Sequence, residues 1–179
     1  MANIDAAYGF RPVRSKSGDG EIQMGSYEVA AAYATALFEG CPVMRTTDGT
    51  IVLWATTNKL LGFAAQERPG AATTANTTFL VYDDPDQVFA VQVDDNTIVD
   101  EGDIANLAFG IITPGSGVAL TGKSIAELDG DSGLLPPTLT LVMFGLRLSR
   151  AIDDDPATIN NSVYVKIAPG AHELSGVVL

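Results

Sequence analysis

The apolar positions come in short runs separated by turn-forming residues, and few of them keep a helical period. Runs at residues 42–44, 51–55, 60–65, 78–82, 87–93, 107–112 and 118–120 are each of strand length. Asp48-Gly49, between the first two, is a hairpin turn signal. The most strand-like stretch is 138–149, TLTLVMFGLRLS, where Leu139, Leu141 and Met143 alternate with Thr140, Val142 and Phe144. Residues 161–168, NSVYVKIA, close the set with Val163, Val165 and Ile167 on one face. Helical signals are short. Ala30, Ala31, Ala32, Ala34 and Ala36 favour a helix, but the span stops at Gly40-Cys41-Pro42. IAELDG after Ser124 has room for one helical turn. About eight to ten strands with turn signals every 8–12 residues predict a mainly β fold, a compact β-barrel or β-sandwich with short helical turns.

Residues 1–25 read differently, with neither a strand nor a helix period of useful length. They are read as an extended N-terminal arm, and residues 26–179 as the β-rich body. Three of the ten basic residues, Arg11, Arg14 and Lys16, lie in this segment. One reading is a solvated terminus. The other is an arm whose Tyr8, Phe10, Arg11 and Arg14 anchor it to an acidic partner surface, since aromatic and Arg side chains are the usual energetic centres of interfaces.

Charge narrows the partners. A net charge of -12 repels phosphate backbones and anionic lipid headgroups, so nucleic acid and membranes are expected to be poor partners. The opening MANIDAAYGF lacks the basic and apolar regions of a signal peptide, which points to synthesis in a cytoplasm. With 179 residues, 46% of them hydrophobic, the chain suits one packed domain, or one domain with an arm. Cys41 is the only cysteine, so no intrachain disulfide is available.

One string imitates chemistry. GVALTGKS, with Gly117, Gly122, Lys123 and Ser124, spells the phosphate-binding loop G-x-x-x-x-G-K-[ST]. That loop works only after a buried strand and before a helix of several turns. Here Gly130, Gly133 and Pro136-Pro137 arrive within a dozen or so residues, so the spelling is read as coincidence. Two acidic groups have the oxygen ligands calcium needs: Asp83, Asp84 and Asp86, and Asp94, Asp95, Asp100 and Asp103. DGDSG at 129–133 and DDDP at 153–156 add further acids. Solvated loops and turns are the simpler reading of all four. Cys41 sits in an apolar stretch, where a buried, inert thiol is expected. His172, the only histidine, is read as a surface or subunit-contact residue, and one histidine excludes a multi-His metal site. No catalytic residue, cofactor or metal is expected.

Several segments together resemble a known group. They are MANIDAAYGFRPVR at the start, YATALFEGCPV (33–43), LLGFAAQ (60–66), LVYDDPDQVFAVQV (80–93), TGKSIAELD (121–129) and LRLSRAIDDDPATINNSVYVKIAPGAHEL (146–174). This text is similar to small structural proteins of tailed bacteriophages, which include capsid cement (decoration) proteins. The resemblance implies a homotrimer on the outer capsid surface at three-fold positions, bound to the major capsid protein. It also implies a loop with a short helical turn at TGKSIAELD, where the lysine need not occur. Cys41 departs from the group, which often has Asp there. The alternative is a tail or adhesion module that binds host-surface carbohydrate, for which Trp54 and Tyr82 are the attractive aromatics.

Overall fold

The computed structural model describes residues 6–15, 22–55, 58–94, 108–134, 141–146 and 161–174. Among the described residues there are thirteen strands and no helix. In chain order they are β1 (Arg11–Ser15), β2 (Gly25–Val29), β3 (Pro42–Arg45), β4 (Ile51–Leu53), β5 (Gly62–Ala64), β6 (Thr77–Tyr82) and β7 (Gln87–Gln92). Then follow β8 (Ala108–Ile112), β9 (Gly117–Val118), β10 (Lys123–Ser124), β11 (Glu127–Leu134), β12 (Leu141–Leu146) and β13 (Ser162–Ile167).

The chain is mainly β, in two antiparallel sheets and a small hairpin. One sheet has the order β1-β7-β13-β12-β8-β11, the other β2-β6-β5-β3-β4, and β9 pairs with β10. Among the described residues the barrel alternative is not realised: one bridge joins Val93 to Leu128 and brings the β11 edge back towards β7, but no ladder there closes the sheet. The arrangement is sandwich-like, with apolar side chains gathered between and behind the sheets.

Those side chains form two clusters. The first holds Phe10, Phe63, Phe89, Phe109, Leu128, Val163 and Val165 among others, drawn from both sheets. The second holds Val29, Val43, Ile51, Ala64, Phe79 and Val81. In β5, Phe63 faces the first cluster and Ala64 the second, so the five-stranded sheet is covered on both faces. All six residues of β7 are buried, which its continuous QVFAVQ run foreshadows. The predicted hairpin at Asp48-Gly49 forms between β3 and β4, closed by Thr46 N–H to the Thr50 carbonyl at 2.8 Å.

Two expectations are corrected. The alanine-rich stretch is not helical: Leu37 and Arg68 exchange backbone hydrogen bonds at 2.9 and 2.7 Å, and Thr73 N–H donates to Ala31. Partners distant in sequence satisfy this backbone, so helix propensity does not decide it. IAELDG makes no helical turn either. Ala126, Leu128 and Gly130 are buried while Ile125, Glu127 and Asp129 are half-exposed, a strand alternation that continues into β11. DGDSG therefore lies in a strand rather than a loop.

Of residues 1–25, the described residues 11–15 form β1. β1 is an edge strand on β7, with Arg11 opposite Ala90 and Ser15 opposite Gln87. Pro12, which has no N–H to donate, and an irregularity between Pro12 and Arg14 suit an edge position.

Candidate functional site

The four arm residues separate into distinct environments. Phe10 is 1% exposed and stacks on Phe63, with ring centroids 4.2 Å apart and planes at 16°. Its backbone N–H donates to the Gly40 carbonyl at 3.1 Å. Gly40 allows that approach: its φ is +85°, and a Cβ there would sit 3.0 Å from the Phe10 backbone. Phe10 is thus a core residue and not an exposed anchor. Tyr8 is half-buried and donates its hydroxyl to Ser162 Oγ at 3.1 Å. Arg11 is exposed, with its guanidinium 4.5 Å from the Tyr8 ring centroid, a cation–π pair on the sheet edge. Arg14 lies opposite Val88 in the β1 ladder, and its side chain falls outside the described residues. Exposed Val13 completes a mixed basic and apolar edge.

The phosphate-loop string is a β-hairpin. Residues 117–118 and 123–124 are its two strands, and β11 rather than a helix follows. Ser124 is fully buried. Its hydroxyl donates to the Ser116 carbonyl at 3.3 Å and accepts the Ala126 N–H at 3.0 Å, so it is turned into the protein. Lys123 lies 3.9 Å from Glu39, and both side chains are about half exposed. A pair so long and so wet contributes little. Lys123→Ala is expected to leave stability within about 0.5 kcal/mol, and calorimetric titration with Mg-ATP to show no saturable binding in either protein. Saturable binding by the parent, lost in the variant, would restore the nucleotide reading.

The acidic groups are engaged in the fold. Asp83 Oδ2 accepts the Tyr27 hydroxyl at 2.5 Å, which together with burial raises the Tyr27 pKa. Asp84 Oδ1 accepts the Asp86 N–H at 2.8 Å, tightening the β6–β7 turn. Asp86 pairs with Lys166. Asp94 is buried and accepts the Gly130 N–H at 3.1 Å. Asp95, Asp100, Asp103 and the acids at 153–156 lie outside the described residues. Among the described residues, no group of three His, Cys, Asp or Glu is placed to hold a metal ion.

Cys41 lies fully buried in the second cluster, and burial pushes its thiol up to about 12. A thiol so held is neutral and unreactive at ordinary pH. Iodoacetamide at pH 8 is expected to leave the native protein unlabelled and to label its one thiol in urea. His172 overturns its expected surface position: it is fully buried, beside Leu60 in an isolated bridge. Trp54 is also buried, with its indole N–H donating to the Asn58 carbonyl at 2.8 Å, and Tyr82 is half-buried against the core. These two aromatics do not form an exposed sugar platform.

Sequence reasoning missed two features. Arg68 is 6% exposed, and its guanidinium donates to the carbonyls of Tyr33, Pro69 and Ala71 and to Thr77 Oγ1. Pro69 and Ala71 follow Arg68 directly, but Tyr33 is 35 residues away and Thr77 opens β6, so the cradle is completed only by the fold. Leu120, at the hairpin tip, is 95% exposed. A leucine between Ala119 and Thr121 in a glycine-flanked turn was a readable signal. No helix among the described residues is long and apolar enough to cross a membrane. No family model, curated protein or solved structure matches the chain.

Proposed function

We propose that this chain is a non-catalytic structural virion protein that binds the outside of a phage capsid, as trimers at three-fold positions, and cements coat subunits. The observation that carries the reading is where the phage-like text falls. Residues 60–66 span β5, residues 80–93 run from β6 through β7, and residues 146–174 contain β13. The similarity therefore lies on strands that supply Phe63, Phe89 and Val165 to the core. Its partners are the major capsid protein and further copies of itself, not nucleic acid or membrane. It is made in the host cytoplasm and resides on the outer capsid surface.

Cementing is mechanical. Each copy adds buried interface between coat subunits, and about 1,200–2,000 Å² is enough for a specific contact. Many equivalent copies multiply the effect by avidity. The basic β1 edge, with Tyr8, Arg11 and Val13, is the coat-facing patch on an otherwise acidic chain, while Phe10 holds that edge from beneath. Locating the protein on intact particles by cryo-electron microscopy tests the reading, and absence from the capsid exterior would end it. The double variant Tyr8→Ala/Arg11→Glu is expected to fold normally yet reduce capsid occupancy and heat resistance. Unchanged occupancy would remove the β1 edge from the contact.

A further inference from the structure

The hairpin of residues 117–124 is built rigidly around an apolar side chain that nothing among the described residues covers. Thr121 and Gly122 both donate their N–H groups to the Val118 carbonyl, at 3.0 and 2.9 Å. Gly122 takes φ +68°, and a Cβ there would meet the Glu67 side chain at 2.3 Å. The foot of the hairpin is clamped. Glu39 N–H donates to Gly122 at 2.8 Å, Ser124 N–H to Glu39 at 2.9 Å, and Gly117 lies against the Phe38 ring. At the tip Leu120 is 95% exposed and Val118 44% exposed. A flexible loop would fold such a leucine back onto the surface; this one holds it out as a knob.

Next to it lies a socket. A cavity of about 390 Å³ is floored by Phe79 and Arg68, walled by Pro69, Ala71 and Thr77, and rimmed by Glu67. Arg68 fixes the walls through its bonds to the Pro69 and Ala71 carbonyls and Thr77 Oγ1, so the socket exists before anything enters. Neither part carries net negative charge: in the hairpin Lys123 lies 3.9 Å from Glu39, and in the socket the Arg68 guanidinium lies beside the exposed carboxylate of Glu67. Both parts are preorganised, so little ordering entropy opposes their union.

We infer that Leu120 of one copy inserts into the Glu67–Arg68–Phe79 socket of a second copy of this chain. This deepens the self-association in the proposed function and rests on that part of it. Two chains of charge -12 repel at a distance, so an apolar anchor and a socket that are both without net negative charge are where two copies can meet. Glu67 belongs to the socket rim and touches the foot of the knob, which places the two halves of the contact side by side on each molecule.

Sedimentation velocity over a concentration series tests the contact with three proteins. The parent is expected to self-associate, and Leu120→Glu, changing an exposed side chain, to weaken association at least about 30-fold without loss of fold. Ala71→Trp, also at an exposed position, fills the socket and is expected to weaken it likewise. Each variant keeps the half the other lacks, so an equimolar mixture is expected to form a mixed complex. A parent that stays monomeric to about 1 mM, a Leu120→Glu protein that associates like the parent, or a mixture that stays monomeric overturns the inference. An associating parent with an unaffected Leu120→Glu variant places the self-contact elsewhere and leaves capsid binding untouched. Capsid binding fails separately, if the protein is missing from the particle.

Discussion

Replacing Phe10 by alanine is expected to cost about 3–5 kcal/mol of stability, the usual loss for a fully buried aromatic. Domains of this kind have only about 5–15 kcal/mol in total, so roughly a fifth or more of the reserve would go. The size of the effect follows from position. Phe10 stacks on Phe63, and Phe63 meets Phe89 at a centroid distance of 4.5 Å with planes at 60°. Three rings from β5, β7 and the start of the chain therefore form the centre of the first cluster. Removing the first leaves a cavity between two sheets, and neither sheet can close it without breaking its own ladder. Urea unfolding reads the loss as a fall in midpoint of about 1–5 M, given a slope of about 1–3 kcal/mol per M. Phe10→Leu, which keeps apolar bulk, is expected to lose roughly half as much, and Arg11→Ala about 0.5 kcal/mol or less. A loss below about 1 kcal/mol in Phe10→Ala would mean that the aromatic stack does not hold β1 to the body. The series also separates two roles that the sequence merged: Phe10 keeps the edge in place, while Tyr8, bonded to Ser162, and exposed Arg11 carry the polar contacts of that edge.

How much of this was legible follows from what each pattern depends on. The strands from β3 to β8, β12 and β13 were visible because their apolar runs are written locally, continuous in β7 and alternating in Thr78 to Tyr82 or Val163 to Ile167. β1 was not visible. Its RPVRS is ordinary edge text, and its pairing with β7 requires contacts some 75 residues away in the chain. β11 was readable and was misread. Ala126 and Leu128 alternate with Ile125 and Glu127, but the glycines and aspartates of DGDSG outweighed that alternation. The alanine run shows the opposite failure, since propensity was read correctly and tertiary backbone partners overrode it. For the candidate site, the absence of a P-loop helix was legible from Gly130, Gly133 and Pro136-Pro137. The burial of Phe10, Arg68 and His172 was not, because each is covered by segments distant in sequence.

His172 gives the second large effect, and it appears only on acidification. The side chain is fully buried, and its Nδ1 accepts the Leu174 N–H at 3.0 Å, so a proton on that nitrogen must break a hydrogen bond. Burial is the main cause that moves its pKa down, from 6.5 to about 4. Asp83 and Asp84 nearby pull upward and Lys166 pulls downward, but desolvation outweighs the carboxylates. The sign follows from which state takes up the proton. Below pH 6.5 the unfolded chain protonates its histidine while the folded chain does not, so acid favours unfolding. The penalty grows from about pH 6.5 to about pH 4 and then levels off, because the folded form titrates there too. Its full size is about 3 kcal/mol, at about 1.4 kcal/mol per pH unit. His172→Gln keeps an acceptor for Leu174 and cannot titrate. At pH 7 the parent is expected to be the more stable of the two, because its imidazole fits the site. That advantage should shrink by about 3 kcal/mol as pH falls to 4, measured as the difference between paired urea curves. Carboxylates titrate in both proteins and cancel in the difference, which isolates the histidine. If the two stabilities run parallel from pH 7 to 4, the imidazole is not held neutral by the fold, and the acid sensitivity of this chain belongs to its carboxylates alone.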